Sequence, residues 1–362
     1  VIVILAGEVK MIRIITFLST FLVFAFGSAY ADPKKVGFIY IGPPGDHGWT
    51  YMHDVGRKYM ESQLGDSITT TYLENIPENA DAVRAIRKLA DSGHDLIFTT
   101  SFNYMDQTHE VAKDFPDIKF EHATGYIQAD NVATYSARFY EGRMIEGHIA
   151  GHMTETNTIG YIASFPIPEV IMGINAFAQG LRSVNSSATI SVIWANTWYD
   201  PGKEADAAKV HIAAGADVLT QHTDTPAMLQ TAQEKGVFGY GQGSDMEAFA
   251  PKAQLFASVN DWSKMYIDQI QAVIDGTWES TDTWCGMAED CLSVSEFKNM
   301  PADVVAKATQ IANDIKSGNL NVFEGPIVTN EGAIIEGGKT LHDGNLWGMN
   351  YYVQGVIGKI PG

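Results

Sequence analysis

The sequence predicts an α/β protein of two lobes, each a parallel sheet doubly wound with helices. Three observations carry this. From Lys35 onward, short β-rich runs alternate with helical patterns at steady spacing. Several of these runs, such as "LIFTT" and "IGYIAS", are apolar on both faces, as strands covered by helices on either side must be. The runs number about ten, too many for one comfortable sheet, and the helical stretch Tyr140 to Met153 makes a natural bridge between two halves.

In chain order the strands are expected at Val36 to Ile41, Thr69 to Leu73, Asp95 to Thr100, Ile118 to His122 and Val132 to Ser136. They continue at Thr158 to Ser164, Ser191 to Ala195, Val218 to Gln221, Val237 to Tyr240 and Leu255 to Val259. The helix of Glu78 to Ser92 sets Ala80, Val83, Ile86, Leu89 and Ala90 on one stripe and stops at Gly93. Asp200-Pro201 supplies an N-cap and an N1 proline to the next clear helix, which Gly215 ends. A last helix runs from Pro301 to Gly318, and turn-rich sequence follows to Gly362. The expected division is 32–140 with about 258–290 in an N-terminal lobe and 141–257 with about 291–362 in a C-terminal lobe.

The 362 residues are 45% hydrophobic and 19% charged, ordinary for a globular protein with proper cores. Met11 to Ala31 reads as a secretory signal: one basic residue, Arg13, an apolar run, then small residues at Ala29 and Ala31 for cleavage. Val1 to Lys10 read as an upstream extension, and the mature chain is expected to begin at Asp32, with no cysteine there for a lipid anchor. Removing residues 1–31 takes away Glu8, Lys10 and Arg13, one net positive charge, and turns −19 into −20. So acidic a chain repels nucleic acid and anionic membrane and suits a neutral or cationic small ligand. In an exported protein, Cys285 and Cys291 are open to a local disulfide or to two buried thiols.

Catalytic and cofactor motifs fail on inspection, so no cofactor, metal or catalytic residue is expected. Gly239-Tyr240-Gly241-Gln242-Gly243 misplaces the third glycine of a dinucleotide loop and reads as a tight turn. "EGGKT" at Glu336 has Ala333 where a phosphate loop needs glycine. His148 and His152 share a helix face with Glu146 close by but lack an evident third ligand, and there is no nucleophile elbow.

What remains lies just beyond strand C-terminal ends, where open α/β sheets bind ligands. The candidate binding residues are Asp46, Trp49 and Thr50 after the first strand, Ser101 and Phe102 after the third, and Trp198, His222, Ser244 and Asp245 in the second half. Glu169 and Asp224 also fall at such ends. Trp49 and Trp198, one from each lobe, can clamp a flat ligand, with stacking worth roughly 1–3 kcal/mol per base. Asp46 and Asp245 can accept from ring N–H or amino groups, or Asp46 can simply cap the helix that starts near Trp49.

The segments "GDHGWT", "TTSFNYMD", "YEGRMIEGHIAG", "NTWYDPGKEADAAK" and "GADVLTQHTD", in this order and spacing, resemble the basic membrane protein family of ABC-transporter substrate-binding proteins, purine nucleoside receptor type. The resemblance spans about Lys35 to Val294. It implies a type I periplasmic-binding-protein fold with a three-strand hinge, a purine base or nucleoside in the cleft, and an ABC permease in the inner membrane as partner. It places the family's acidic and stacking positions on Asp46 and Trp49, the second stacking ring on Trp198 and a ribose-contacting acid on Asp245. A family lysine three residues after Ser258 falls on Asp261, which favours an adenine-like free base over a nucleoside. A sugar receptor, a nucleoside-processing enzyme and the sensory partner of a signalling receptor are the competing readings.

Overall fold

The computed structural model describes residues 32–329 and 331–362. The signal peptide expected within residues 1–31 lies outside the described residues. β1 (Lys34–Ile39), α1 (Trp49–Leu64), β2 (Ile68–Leu73), α2 (Ala80–Asp91), β3 (Leu96–Thr99), α3 (Met105–Ala112), β4 (Lys119–Ala123) and β5 (Val132–Ala137) alternate as the sequence predicts. α4 (Tyr140–Met153) opens the second run of β6 (Thr158–Ala163), α5 (Pro168–Val184), β7 (Thr189–Trp194), α6 (Pro201–Ala213), β8 (Val218–Gln221), α7 (Ala227–Lys235), β9 (Phe238–Gly243) and β10 (Gln254–Asn260). α8 (Ser263–Asp275), β11 (Asp282–Cys285), β12 (Leu292–Val294), α9 (Ala302–Lys316), β13 (Ile327–Thr329), β14 (Gly332–Ile335), α10 (Asp343–Leu346) and β15 (Val356–Ile357) complete the chain.

Two sheets result. The first has the order β11-β5-β4-β3-β1-β2, all parallel. The second has the order β12-β10-β9-β8-β6-β7-β15, parallel except where β12 runs antiparallel to β10. Each sheet lies between helices because its strands are apolar on both faces; Val36, Phe38, Ile39, Leu96, Ile97 and Phe98 are all fully buried. The chain passes between the lobes after β5, after β10 at Asp261, and between β11 and β12. Cys285 and Cys291 form a disulfide within the third passage. After the second passage, Trp262, Met265, Tyr266 and Ile270 pack into the first lobe's core with Phe38 and Phe98.

The tail belongs to the second lobe. Leu346, Met349, Tyr352 and Val353 join its core, and Tyr352 receives a hydrogen bond from Trp194 Nε1 at 3.1 Å. Asp200 caps α6 as expected, accepting from the Lys203 N–H at 3.0 Å. The glycine run 239–243 is strand, which corrects the tight turn expected there. A side chain on Gly241 would come within 2.6 Å of Ala257 Cβ, so glycine is required by the neighbouring strand and not by a turn. No helix among the described residues is long and apolar enough to cross a membrane.

Candidate functional site

The C-terminal ends of both sheets face one another across a cleft. The loop after β1 starts α1 through Asp46, whose carboxylate accepts from the N–H groups of Gly48, Thr50 and Tyr51, each at 2.9 Å. This satisfies orphan donors of the first turn, which glycine at the N-cap cannot do with its own side chain. The helix then holds Trp49 at the cleft, and its indole Nε1 donates to the Thr100 carbonyl at 2.7 Å. His53, Trp262 and Phe139 meet the ring edge-on, so the ring's position is fixed from three sides.

About 350 Å³ of empty space lies between the lobes, lined by Ile41, Trp49, Ser101, Phe102 and Thr124 from the first lobe and by Glu169, Trp198, His222, Asp224 and Gln242 from the second. Five of the nine expected residues, Trp49, Ser101, Phe102, Trp198 and His222, come together here. Four do not line the space. Asp46 is engaged as the cap just described. Thr50 Oγ1 accepts from the Gly42 N–H at 3.2 Å. Asp245 is exposed, accepting from the Glu247 N–H at 3.0 Å and from Gln254 Nε2 at 2.6 Å. Ser244 Oγ donates across the cleft to the His47 carbonyl.

That bond is one of the contacts that close the cleft mouth. The His47 ring packs on Phe249 at 4.6 Å, and Gly48 lies so close to Asp224 that a side chain on it would come within 2.3 Å of the Asp224 carbonyl oxygen.

The second lobe's polar groups are buried and incompletely bonded. Glu169 Oε1 stands 3.3 Å from His222 Nε2, while Glu169 Oε2, His222 Nδ1 and Trp198 Nε1 have no hydrogen-bond partner. Burial lowers the His222 pKa, although Glu169 opposes this, so the ring is neutral. Its Nε2–H then donates to Glu169 and leaves Nδ1 as an acceptor. Asp224, 5% exposed, is pushed well above the ordinary carboxylate range by burial and then by Asp46, Glu204 and Glu169. Trp198 leans on Phe165 at 5.2 Å.

Glu169 and Asp224 stood at strand ends in the sequence without distinguishing marks. Gln242 was hidden in the glycine run, and Thr124 follows a strand as one more threonine. Away from the cleft, the His148 and His152 rings pack together, and no cluster of three or more metal-ligating side chains occurs among the described residues.

Comparison with known proteins agrees with this architecture. The sequence model of the PnrA-like ABC transporter substrate-binding proteins matches residues 33–324. A purine-binding protein of Brucella abortus is 53% identical over 92% of this chain and 96% of its own length. A putative ABC transporter glucose-binding protein of Haloferax volcanii is 35% identical over 92% of this chain and 83% of its own. Among solved structures, an ABC transporter solute-binding protein from Aeropyrum pernix superposes with a TM-score of 0.69, covering 80% of this chain and 93% of that one at 17% identity, a likeness of fold. This chain belongs to the PnrA-like family of ABC transporter substrate-binding proteins.

Proposed function

We propose that the protein captures a purine, an adenine-like base or its nucleoside, outside the cytoplasm and presents it to an inner-membrane ABC permease, without catalysis. The observation that carries this reading is the make-up of the cleft: two tryptophans from opposite lobes around a set of unpartnered acceptors. Glu169 Oε2 and His222 Nδ1 call for N–H donors, the Asp224 carboxyl can accept another, and a free adenine offers N–H groups at both its amino and imidazole ends. Among the described residues no cationic side chain lines the space, so a phosphorylated ligand is disfavoured. The purine-binding relative in Brucella abortus supports the same class. Closure follows if the ligand bonds to both lobes only when they meet, since equal affinity for open and closed states shifts nothing.

Calorimetry of adenine and adenosine tests this. Trp49→Ala and Trp198→Ala are each expected to weaken binding at least about tenfold, within the range of base stacking on aromatic rings. Unchanged affinity in both rules out the aromatic clamp. The Haloferax volcanii relative makes glucose the counter-ligand, and tighter binding of glucose than of either purine replaces this reading with a sugar receptor. Release of free base from adenosine during incubation turns the reading toward an enzyme.

A further inference from the structure

Gln242 is held in one orientation by a charge buried behind it. Arg143, on α4, is 2% exposed. Its Nη1 donates to both carboxylate oxygens of Glu146 at 2.8 Å and to Thr220 Oγ1 at 3.1 Å. Its Nη2 donates to the Gln221 carbonyl at 2.6 Å and to Gln242 Oε1. Thr220 Oγ1 in turn donates to Glu146 at 2.6 Å, so the whole network is closed and buried. A guanidinium has donors and no acceptor, so the amide must turn its oxygen to Arg143. An amide that elsewhere can be turned over has one choice here. Its Nε2 has no hydrogen-bond partner among the described residues, and Gln242 lines the cleft. The amide nitrogen is therefore a fixed donor.

The same wall offers an acceptor, since the carbonyl oxygen of the Asp224 carboxyl accepts even in its neutral form. β8 and β9 are neighbours in the second sheet; Asp224 lies three residues beyond the end of β8, Gln242 is the last residue but one of β9, and both line the cleft. The Asp224 carboxyl also has no protein partner, and its backbone is pinned by its N–H to the Trp198 carbonyl at 3.0 Å.

We propose that Arg143 is a positioning residue which, through Gln242, makes the cleft read a purine edge carrying one acceptor beside one donor. Adenine offers this with a ring nitrogen beside its amino group, and a 6-oxopurine with O6 beside N1–H. An edge with two adjacent donors, such as N1–H and the 2-amino group of guanine, does not match. This inference rests on the purine reading above.

The test is Gln242→Glu. The new carboxylate keeps an oxygen on Arg143 but aims a second acceptor where the donor was, so the edge read becomes two donors. Competition calorimetry with adenine and guanine is expected to show the adenine-to-guanine affinity ratio moving toward guanine at least tenfold, with the melting temperature held within a few degrees. Arg143→Lys, which still offers only donors, is expected to keep the wild-type ratio. Equal loss of both ligands in Gln242→Glu overturns the proposal, because a packing role alone weakens both alike. A readout independent of folding uses the wild-type protein with 1-, 3- and 7-deazaadenine, each lacking one ring acceptor. One of the three is expected to bind at least tenfold more weakly than adenine, and all three binding within threefold of adenine overturns the fixed donor. If the wild-type protein binds no purine, the purine reading itself fails, and this inference with it.

Discussion

The two lobes bring different surfaces to the cleft. In the first, the polar side chains lining the space are already engaged within the lobe: Trp49 Nε1 with the Thr100 carbonyl, Ser101 Oγ with Glu78, and Thr124 Oγ1 with the Ala123 carbonyl. In the second, Glu169 Oε2, Trp198 Nε1 and His222 Nδ1 are buried without a protein partner. Buried polar atoms are ordinarily satisfied, so a concentration of unsatisfied ones on one wall marks where hydrogen bonds are to be completed. On this reading the first lobe supplies shape and a stacking ring, and the second supplies the pattern of donors and acceptors. A ligand that satisfies the second wall while lying on the first is what the closed form is built to hold.

The sharpest way to break this division is to keep the walls apart. Gly48→Ala places a methyl against the Asp224 backbone, within 2.3 Å of its carbonyl oxygen and 2.9 Å of its Cα, and backbone cannot yield as a flexible side chain can. The atoms the added methyl meets all belong to Asp224 in the second lobe. Purine affinity is expected to fall on the order of a hundredfold, with the melting temperature of the unliganded protein unchanged. Titration calorimetry paired with thermal melts measures both; full affinity shows that binding does not need this closure.

Asp46→Ala sharpens the same division from the other side. It leaves three N–H groups without their acceptor, and the expected cost is about 2–3 kcal/mol of stability, read by denaturant unfolding. Relative affinities among purines are expected to stay as they were. A changed preference shows instead that Asp46 contacts the ligand.

How much of this was legible in the sequence follows from what each feature depends on. The ten strands expected from Val36 to Val259 all exist, because apolar runs bounded by turn residues are local signals. β9 was cut short at Tyr240 because glycines read as punctuation, whereas here they admit a neighbouring strand. β11 and β12 were not expected: their residues are held by pairing to β5 and β10, far away in sequence. At the cleft, Trp49 and Trp198 were legible because large rings after strand ends have few other uses. The carboxylates were not. Asp46 and Asp224 both follow strands, but one meets three N–H groups and the other meets none, and only the folded backbone decides which.

Deep in the lobes the contrast recurs with buried carboxyls, and pH reads it. Glu146 in the second lobe is held by Arg143 and Thr220, while Glu121 in the first receives one hydrogen bond, from Trp278 Nε1 at 2.8 Å. Burial pushes Glu121 up to about 8, with the Trp278 bond pulling the other way. Its pKa is therefore higher folded than unfolded, and the neutral form is the one the fold favours. The sign follows: its contribution to stability is complete below the ordinary carboxylate range, declines as pH rises toward about 8, and is level above that. Glu121→Gln preserves the acceptor for Trp278 and cannot ionise. Between pH 4 and pH 9 the variant is expected to gain roughly 4–5 kcal/mol relative to wild type, measured as the change in the stability difference by denaturant unfolding at each pH. Because the quantity is a difference across pH, any fixed packing cost of the amide cancels. Parallel stability curves for the two proteins show that Glu121 does not titrate in this range, and the first lobe then holds its buried acid as firmly as the second.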